Sequence, residues 1–169
     1  MFPRTVCIAG LVLIVDEAVK TAARVHLAPC SGVAVADCDR VALFGPLWLL
    51  RTANAGSPLG LRQGWWIWIA LAACGVLLAG AYARLLTGSG WKAALGVGLQ
   101  MGGAIANLFD RLAFGGASDV LYIGAQVTWN LADAALVGGT LLATWALADR
   151  AARAGCGARE LHAGFGGPK

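Results

Sequence analysis

A bundle of four transmembrane helices is the fold predicted by this 169-residue sequence. Hydrophobic residues make up 59% and charged residues 13% of it, and mean hydropathy is +0.70, far more apolar than a soluble domain. Four stretches each approach the roughly 20 mostly apolar residues that a helix needs to cross hydrocarbon. Trp65, Trp66, Trp91 and Trp129 fall at predicted span ends, where indole rings favour the headgroup level. The length allows one compact bundle, residues 1–149, followed by a basic Gly/Ala-rich cytoplasmic tail, residues 150–169.

The first span runs from about Val6 to Val25, with VCIAGLVLIV as its apolar part and Asp16 and Lys20 toward its far end. The second, about Trp65 to Leu86, opens with WWIWIALAACGVLLAG, the clearest apolar run. The third, about Trp91 to Phe109, is rich in glycine, and the fourth covers about Trp129 to Ala148. Four spans put both termini on one side. Lysine and arginine divide almost evenly between the two faces, but Arg84 and Lys92 flank a very short connection, whereas Arg40 is neighboured by Asp37 and Asp39. Positive charge in short loops weighs most, which places both termini in the cytoplasm.

Small residues recur every four positions as Gly98, Gly102 and Ala106 in the third span, and as Ala134 and Gly138 in the fourth. Such stripes let helix backbones approach closely in lipid. Asn107, Asp110 and Arg111 share one helical face, as do Asn130 and Asp133. An ionisable side chain inside a bilayer costs roughly 2.5–3.5 kcal/mol on insertion scales, so such residues usually mark an interior site. The loop from Leu112 to Thr128 returns Asp119 toward the surface at which Asp133 lies. Two carboxyls within hydrogen-bond reach cannot both ionise easily and share a proton. An aspartic protease uses such a pair to activate water and polarise a carbonyl.

Four motifs occur in order: DEAVK at 16–20, NAG at 54–56, GGAIANLFDR at 102–111 and NLAD at 130–133. In this order, and with four spans, the chain resembles the lipoprotein signal peptidases (signal peptidase II). The resemblance extends from Asp16 to Asp133. It implies an aspartyl endopeptidase of the bacterial inner membrane, without cofactor or metal. That enzyme would cleave lipoprotein precursors just before a diacylglyceryl-modified cysteine, near the extracytoplasmic surface. Asp119 and Asp133 fall on the family's catalytic positions, and Asp16, Lys20, Asn54, Gly56, Asn107, Asp110, Arg111, Asn130 and Ala132 on its supporting ones. Asp16 with Lys20 reads as an ion pair, and Asp110 with Arg111 as structural. The chain departs from the family at Ala106-Asn107, where glycine is usual, at Ala117-Ser118-Asp119-Val120, and at SPLGL after Gly56.

The loop between the first two spans, about His26 to Gly64, is too long for a turn. Its VALFGPLWLL run at 41–50, broken by Gly45-Pro46, reads as two short strands or an interfacial helix. The resemblance implies a small sheet and a flap over the site. Five cysteines, at 7, 30, 38, 74 and 156, show no metal-binding spacing, and Cys30 and Cys38 share the outer loop, either paired or free. LAPC at 27–30 is similar to a lipobox, but Pro29 at the cleavage position and the preceding Asp16 and Lys20 argue against cleavage there.

Other protease classes fail on inventory. The histidines, His26 and His162, form no H-E-x-x-H pair, and the serines at 31, 57, 89 and 118 lack a basic partner within the spans. GASD at 116–119 is similar to the motif of a second aspartyl class, which would also use Asp119. The competing reading from another class is a small proton-coupled carrier or channel subunit with the aspartates as a relay, disfavoured by four short spans without a repeat. The expected partners are lipid-modified precursors and membrane lipids, with no nucleic acid, for a monomeric enzyme. The basic tail is expected to be flexible and to meet anionic headgroups.

Overall fold

The computed structural model describes residues 2–30, 38–54, 75, 80, 90–123 and 127–164. Helix α1 spans Phe2–His26, α2 spans Gly90–Phe114 and α3 spans Leu131–Gly164. Four strands accompany them: β1 at Arg40–Phe44, β2 at Leu47–Asn54, β3 at Ala117–Ile123 and β4 at Val127–Trp129. The strands form one antiparallel sheet in the order β1-β2-β3-β4. The expected second span lies outside the described residues except for Gly75 and Gly80, both helical.

Helix α1 has the polarity of a soluble helix reversed. Asp16 and Lys20 are 1% and 0% exposed, whereas Leu11 and Ile14 are 62% and 67% exposed. Charged residues are almost never fully buried unless paired, so an outward apolar face over an inward ionic one belongs in lipid. Among the described residues one helical stretch, Leu131–Gly155, is long and apolar enough on its own to cross a membrane, with mean hydropathy 1.5. Helices α1 and α2 dilute their apolar content with the inward-facing polar residues.

The seams differ from the expected stripes. Gly98 and Gly102 face α1: a Cβ on either would come within 2.7 Å of Ile8 or 2.6 Å of Val12. The α2–α3 seam instead uses Gly96, Gly103 and Gly139. A Cβ on Gly139 would sit 2.6 Å from the Gly96 carbonyl oxygen, and one on Gly103 would collide with the Ala132 carbonyl oxygen. Ala134 is exposed and Gly138 has open space around it. The helix turns its Ala132, Gly139, Ala143 and Ala146 face inward, and Ala143 and Ala146 pack with Ala93 and Val97. A four-residue spacing alone does not reveal which of two overlapping stripes meets a neighbour.

The VALFGPLWLL run forms the β1–β2 hairpin, with Gly45 at φ 52° in the tight connection. Positive φ is cheap for glycine and suits a two-residue hairpin loop. The sheet is not confined to the loop after α1, as expected; β3 and β4 come from the connection between α2 and α3, which was expected to be a plain loop. Val120, Leu121 and Tyr122 are strand formers, and β2 and α1 offer a surface to cover: Val120 packs with Ala23 and Leu27. Thr52 pairs with Asp119 and Asn54 with Ala117 in the β2–β3 register.

Cys30 and Cys38 form a disulfide with Cα atoms 5.2 Å apart, while Cys7 is a free, exposed thiol. The Cys30 N–H donates to the Arg51 carbonyl at 2.7 Å, tying the end of α1 to β2. Residues 150–164, expected to be flexible, continue α3, because their alanines and arginines are strong helix formers.

Candidate active site

Asp119 enters from the middle of β3 and Asp133 from the first turn of α3, and a pair of asparagine amides joins them. Asn130 Nδ2 donates to Asp119 Oδ1 at 3.1 Å and to Asn107 Oδ1 at 3.0 Å. Asn107 Nδ2 donates in turn to Asp133 Oδ1 at 2.8 Å. Thr128 Oγ1 donates to Asp119 Oδ2 at 2.9 Å from the adjacent strand. Asp119 is 1% exposed and Asn130 0%, while Asp133 is partly open.

The start of α3 explains the placement of Asp133. Asn130 caps the helix: its Oδ1 accepts the Asp133 N–H at 2.8 Å, and the Asn130 N–H reaches back to Asp133 Oδ2 at 3.4 Å. This reciprocal arrangement is a capping box with Asn and Asp in place of the commoner residues. An acidic group in the first helical turn also meets the positive end of the helix dipole.

A second, fully ionic layer lies behind the first. Lys20 Nζ stands 2.6 Å from Asp16 Oδ2 and 2.7 Å from Asp110 Oδ2. Asp16 Oδ1 accepts the Ala132 N–H at 2.9 Å, and Asp110 Oδ2 accepts the Ser118 N–H at 2.8 Å. The expected Asp16–Lys20 pair is present, one helical turn apart on α1. Asp110 takes its cations from α1 rather than from its neighbour Arg111. Arg111 Nη1 donates to the Asn107 carbonyl at 2.9 Å, inside its own helix. Consecutive helical positions point in directions about 100° apart, so adjacency in sequence does not make a pair.

Sequence reasoning missed Arg24, Glu17, Ser118 and Thr128. Arg24 Nη2 meets Glu17 Oε2 at 2.9 Å, its Nη1 reaches Ser118 Oγ at 3.1 Å and Asp110 Oδ1 at 3.4 Å, and its guanidinium lies 4.3 Å from the Phe114 ring centroid. The signal was available for Arg24, which follows Asp16 and Lys20 at the same four-residue step. None was available for Thr128, whose role depends on β3–β4 pairing. Asn54 ends β2 beside the start of β3, and Gly56 lies outside the described residues.

A family model for signal peptidase (SPase) II matches residues 8–148, which contain every one of these side chains. The chain belongs to the signal peptidase II family. Relatives include a lipoprotein signal peptidase of Xanthomonas oryzae pv. oryzae (strain PXO99A), 39% identical over 115 residues, or 61% of this chain and 68% of that protein. Another, from Pelotomaculum thermopropionicum, is 32% identical over 146 residues, covering 83% of this chain and 88% of that protein. Among solved structures, a bacterial membrane enzyme determined by the in meso method at 2.3 Å resolution superposes with a TM-score of 0.72 at 18% identity, over 88% of this chain and 90% of that one. The signal peptidase II fold is therefore shared well beyond recognisable sequence. The family is one of membrane aspartic proteases, which disfavours the carrier or channel reading.

Proposed function

We propose that Asp119 and Asp133 are the catalytic pair with which this signal peptidase II removes the signal peptide from diacylglyceryl-modified lipoprotein precursors, cutting just before the lipidated cysteine. The observation that carries the reading is the Asn107–Asn130 amide bridge, which links two carboxyls from different elements in one hydrogen-bonded chain. One carboxylate takes a proton from a water held between the pair while the other carboxyl donates a hydrogen bond to the scissile carbonyl. Water oxygen bonds to the carbonyl carbon as the second carboxyl's proton passes to the carbonyl oxygen, giving a tetrahedral diol with no covalent enzyme adduct. The first carboxyl then gives its proton to the amide nitrogen as the C–N bond breaks, the second takes one back from a diol hydroxyl as the new C=O forms, and the pair returns to its starting state.

The proposed setting is the bacterial inner membrane, with both termini in the cytoplasm and the site near the extracytoplasmic surface. Two observations support that orientation. A disulfide at Cys30–Cys38 suits an oxidising compartment on the sheet side. Trp91 and the Lys92–Trp145 stack, 4.0 Å from ring centroid to Nζ, suit a headgroup level at the other end. Residues 1–149 would form the peptidase unit and 150–169 a basic extension toward anionic headgroups, in a monomer that binds membrane lipid and no nucleic acid.

The test is cleavage of a lipidated precursor peptide by detergent-purified protein. Asp119→Asn and Asp133→Asn should each abolish turnover while leaving the yield of folded monomer unchanged, since the amide replaces the carboxyl at equal size. Normal cleavage by both variants would overturn the assignment.

A further inference from the structure

We infer that Lys20 is a positioning residue that sets the spacing of the two catalytic carboxyls, an inference resting on the reading of Asp119 and Asp133 as that pair. The residue immediately before each of these aspartates gives its backbone N–H to a buried carboxylate. Ser118 donates to Asp110 Oδ2 at 2.8 Å, and Ala132 donates to Asp16 Oδ1 at 2.9 Å. One ammonium joins the two acceptors, with Lys20 Nζ at 2.6 Å from Asp16 and 2.7 Å from Asp110. Strand β3 and helix α3 are thus tied, one residue ahead of each catalytic group, through a single nitrogen atom on α1. Fixing the peptide N–H at the preceding position restricts where the next Cα, and hence its carboxyl, can stand.

Stability alone does not account for the arrangement. Asp16, Lys20 and Asp110 are 1%, 0% and 0% exposed, and apolar side chains of similar volume are often as stabilising as a buried ionic group or more so. Lys20 could hold α1 to the bundle through Asp110 alone, since Asp16 lies on α1 itself. Bridging both is what registers Ser118 against Ala132.

A displacement of about 1 Å at reacting groups can cost on the order of 100-fold in rate. Lys20→Met should therefore lower kcat per folded molecule by about 100-fold, with KM changed less than about 2-fold, because precursor binding is not altered. Leaving Asp16 without its cation is also expected to lower yield, so a second pair of variants carries the test independently. Asp16→Ala loses the acceptor for the Ala132 N–H, whereas Asp16→Asn keeps it. The asparagine variant should recover at least about 10-fold of the kcat lost in the alanine variant, a readout that a purely structural role would not move. Equal kcat per folded monomer in Asp16→Ala and Asp16→Asn, or wild-type kcat in folded Lys20→Met, would overturn the inference. Asp119→Asn and Asp133→Asn serve as controls: if they cleave normally, the catalytic pair is misassigned, and if they are inactive while the Asp16 variants match, only the positioning role fails.

Discussion

Gly103→Ala tests whether the α2–α3 seam sets the position of Asp133. The added methyl would overlap the Ala132 carbonyl oxygen and sit 3.0 Å from Leu136 Cγ and 3.3 Å from the Ala132 carbonyl carbon. Restoring ordinary carbon contacts of about 3.5–4.0 Å requires the first turn of α3 to move by about 1 Å. Ala132 directly precedes Asp133, so the shift is delivered to the carboxyl and should cost on the order of 100-fold in kcat. Overpacking should also destabilise by about 1–3 kcal/mol. Gly139→Ala is the control: its methyl would lie 2.6 Å from the Gly96 carbonyl oxygen and 2.8 Å from the Gln100 nitrogen. That site is about 9 Å along the helix from Asp133 at 1.5 Å per residue. It should lose similar stability with a much smaller loss of kcat, whereas Gly138→Ala, with nothing within 4 Å, should gain up to about 1 kcal/mol from helix propensity. Detergent thermal unfolding and single-turnover cleavage of a lipidated peptide, both normalised to folded monomer, measure the two effects. Equal kcat losses in Gly103→Ala and Gly139→Ala would refute the reasoning.

Asn130→Asp keeps the cap acceptor but replaces both amide donors. Losing a hydrogen bond to a charged group, worth about 1.5–3 kcal/mol, should lower kcat/KM by about 10- to 100-fold, and unchanged kinetics would show that the amide bridge does not serve catalysis. Asn130→Ala should lose about 1 kcal/mol of helix stability from the missing cap, read as a lower Tm than that of the unsubstituted protein. Replacing Cys30 and Cys38 by serine should cost about 2–3 kcal/mol, the chain-entropy value for so short a loop, and an unchanged Tm would contradict this. With Cys7, Cys74 and Cys156 replaced, a membrane-impermeant maleimide on intact cells should label Cys30 and Cys38 only after reduction; labelling without reductant would remove the disulfide.

What could be read from the sequence was whatever depends on local spacing. Asp16 and Lys20 stand one turn apart, and they do pair. Gly45-Pro46 inside an apolar run left two short strands or an interfacial helix open, and the strands are what form. What stayed hidden depends on contacts between distant segments. SDVLYI at 118–123 looks like any apolar loop until β2 supplies an edge for it. Asp110 and Arg111 both bind backbone, as their structural reading has it, yet the cations of Asp110, Lys20 and Arg24, come from a helix nearly ninety residues earlier. The Ala134–Gly138 stripe was a true pattern on the wrong face, because Gly139 shares the sequence with it and only packing distinguishes them.

The four aspartates of the candidate site divide by partner. Asp16 and Asp110 are clasped by Lys20, with Arg24 also reaching Asp110, so their oxygens are committed to fixed cations and backbone N–H groups. Asp133 is held by the Asn107 amide and the Asn130 N–H, and Asp119 accepts from Asn130 and Thr128. These amides and hydroxyls orient the two carboxyls that the proposed function assigns to proton transfer. Burial strengthens the interaction of Lys20 with its two acids, because the surroundings are of low polarity. On the proposed reading of Asp119 and Asp133, the Asp16–Lys20–Asp110 group thus lies one layer behind the reacting carboxyls, and the asparagine amides between them carry no charge of their own.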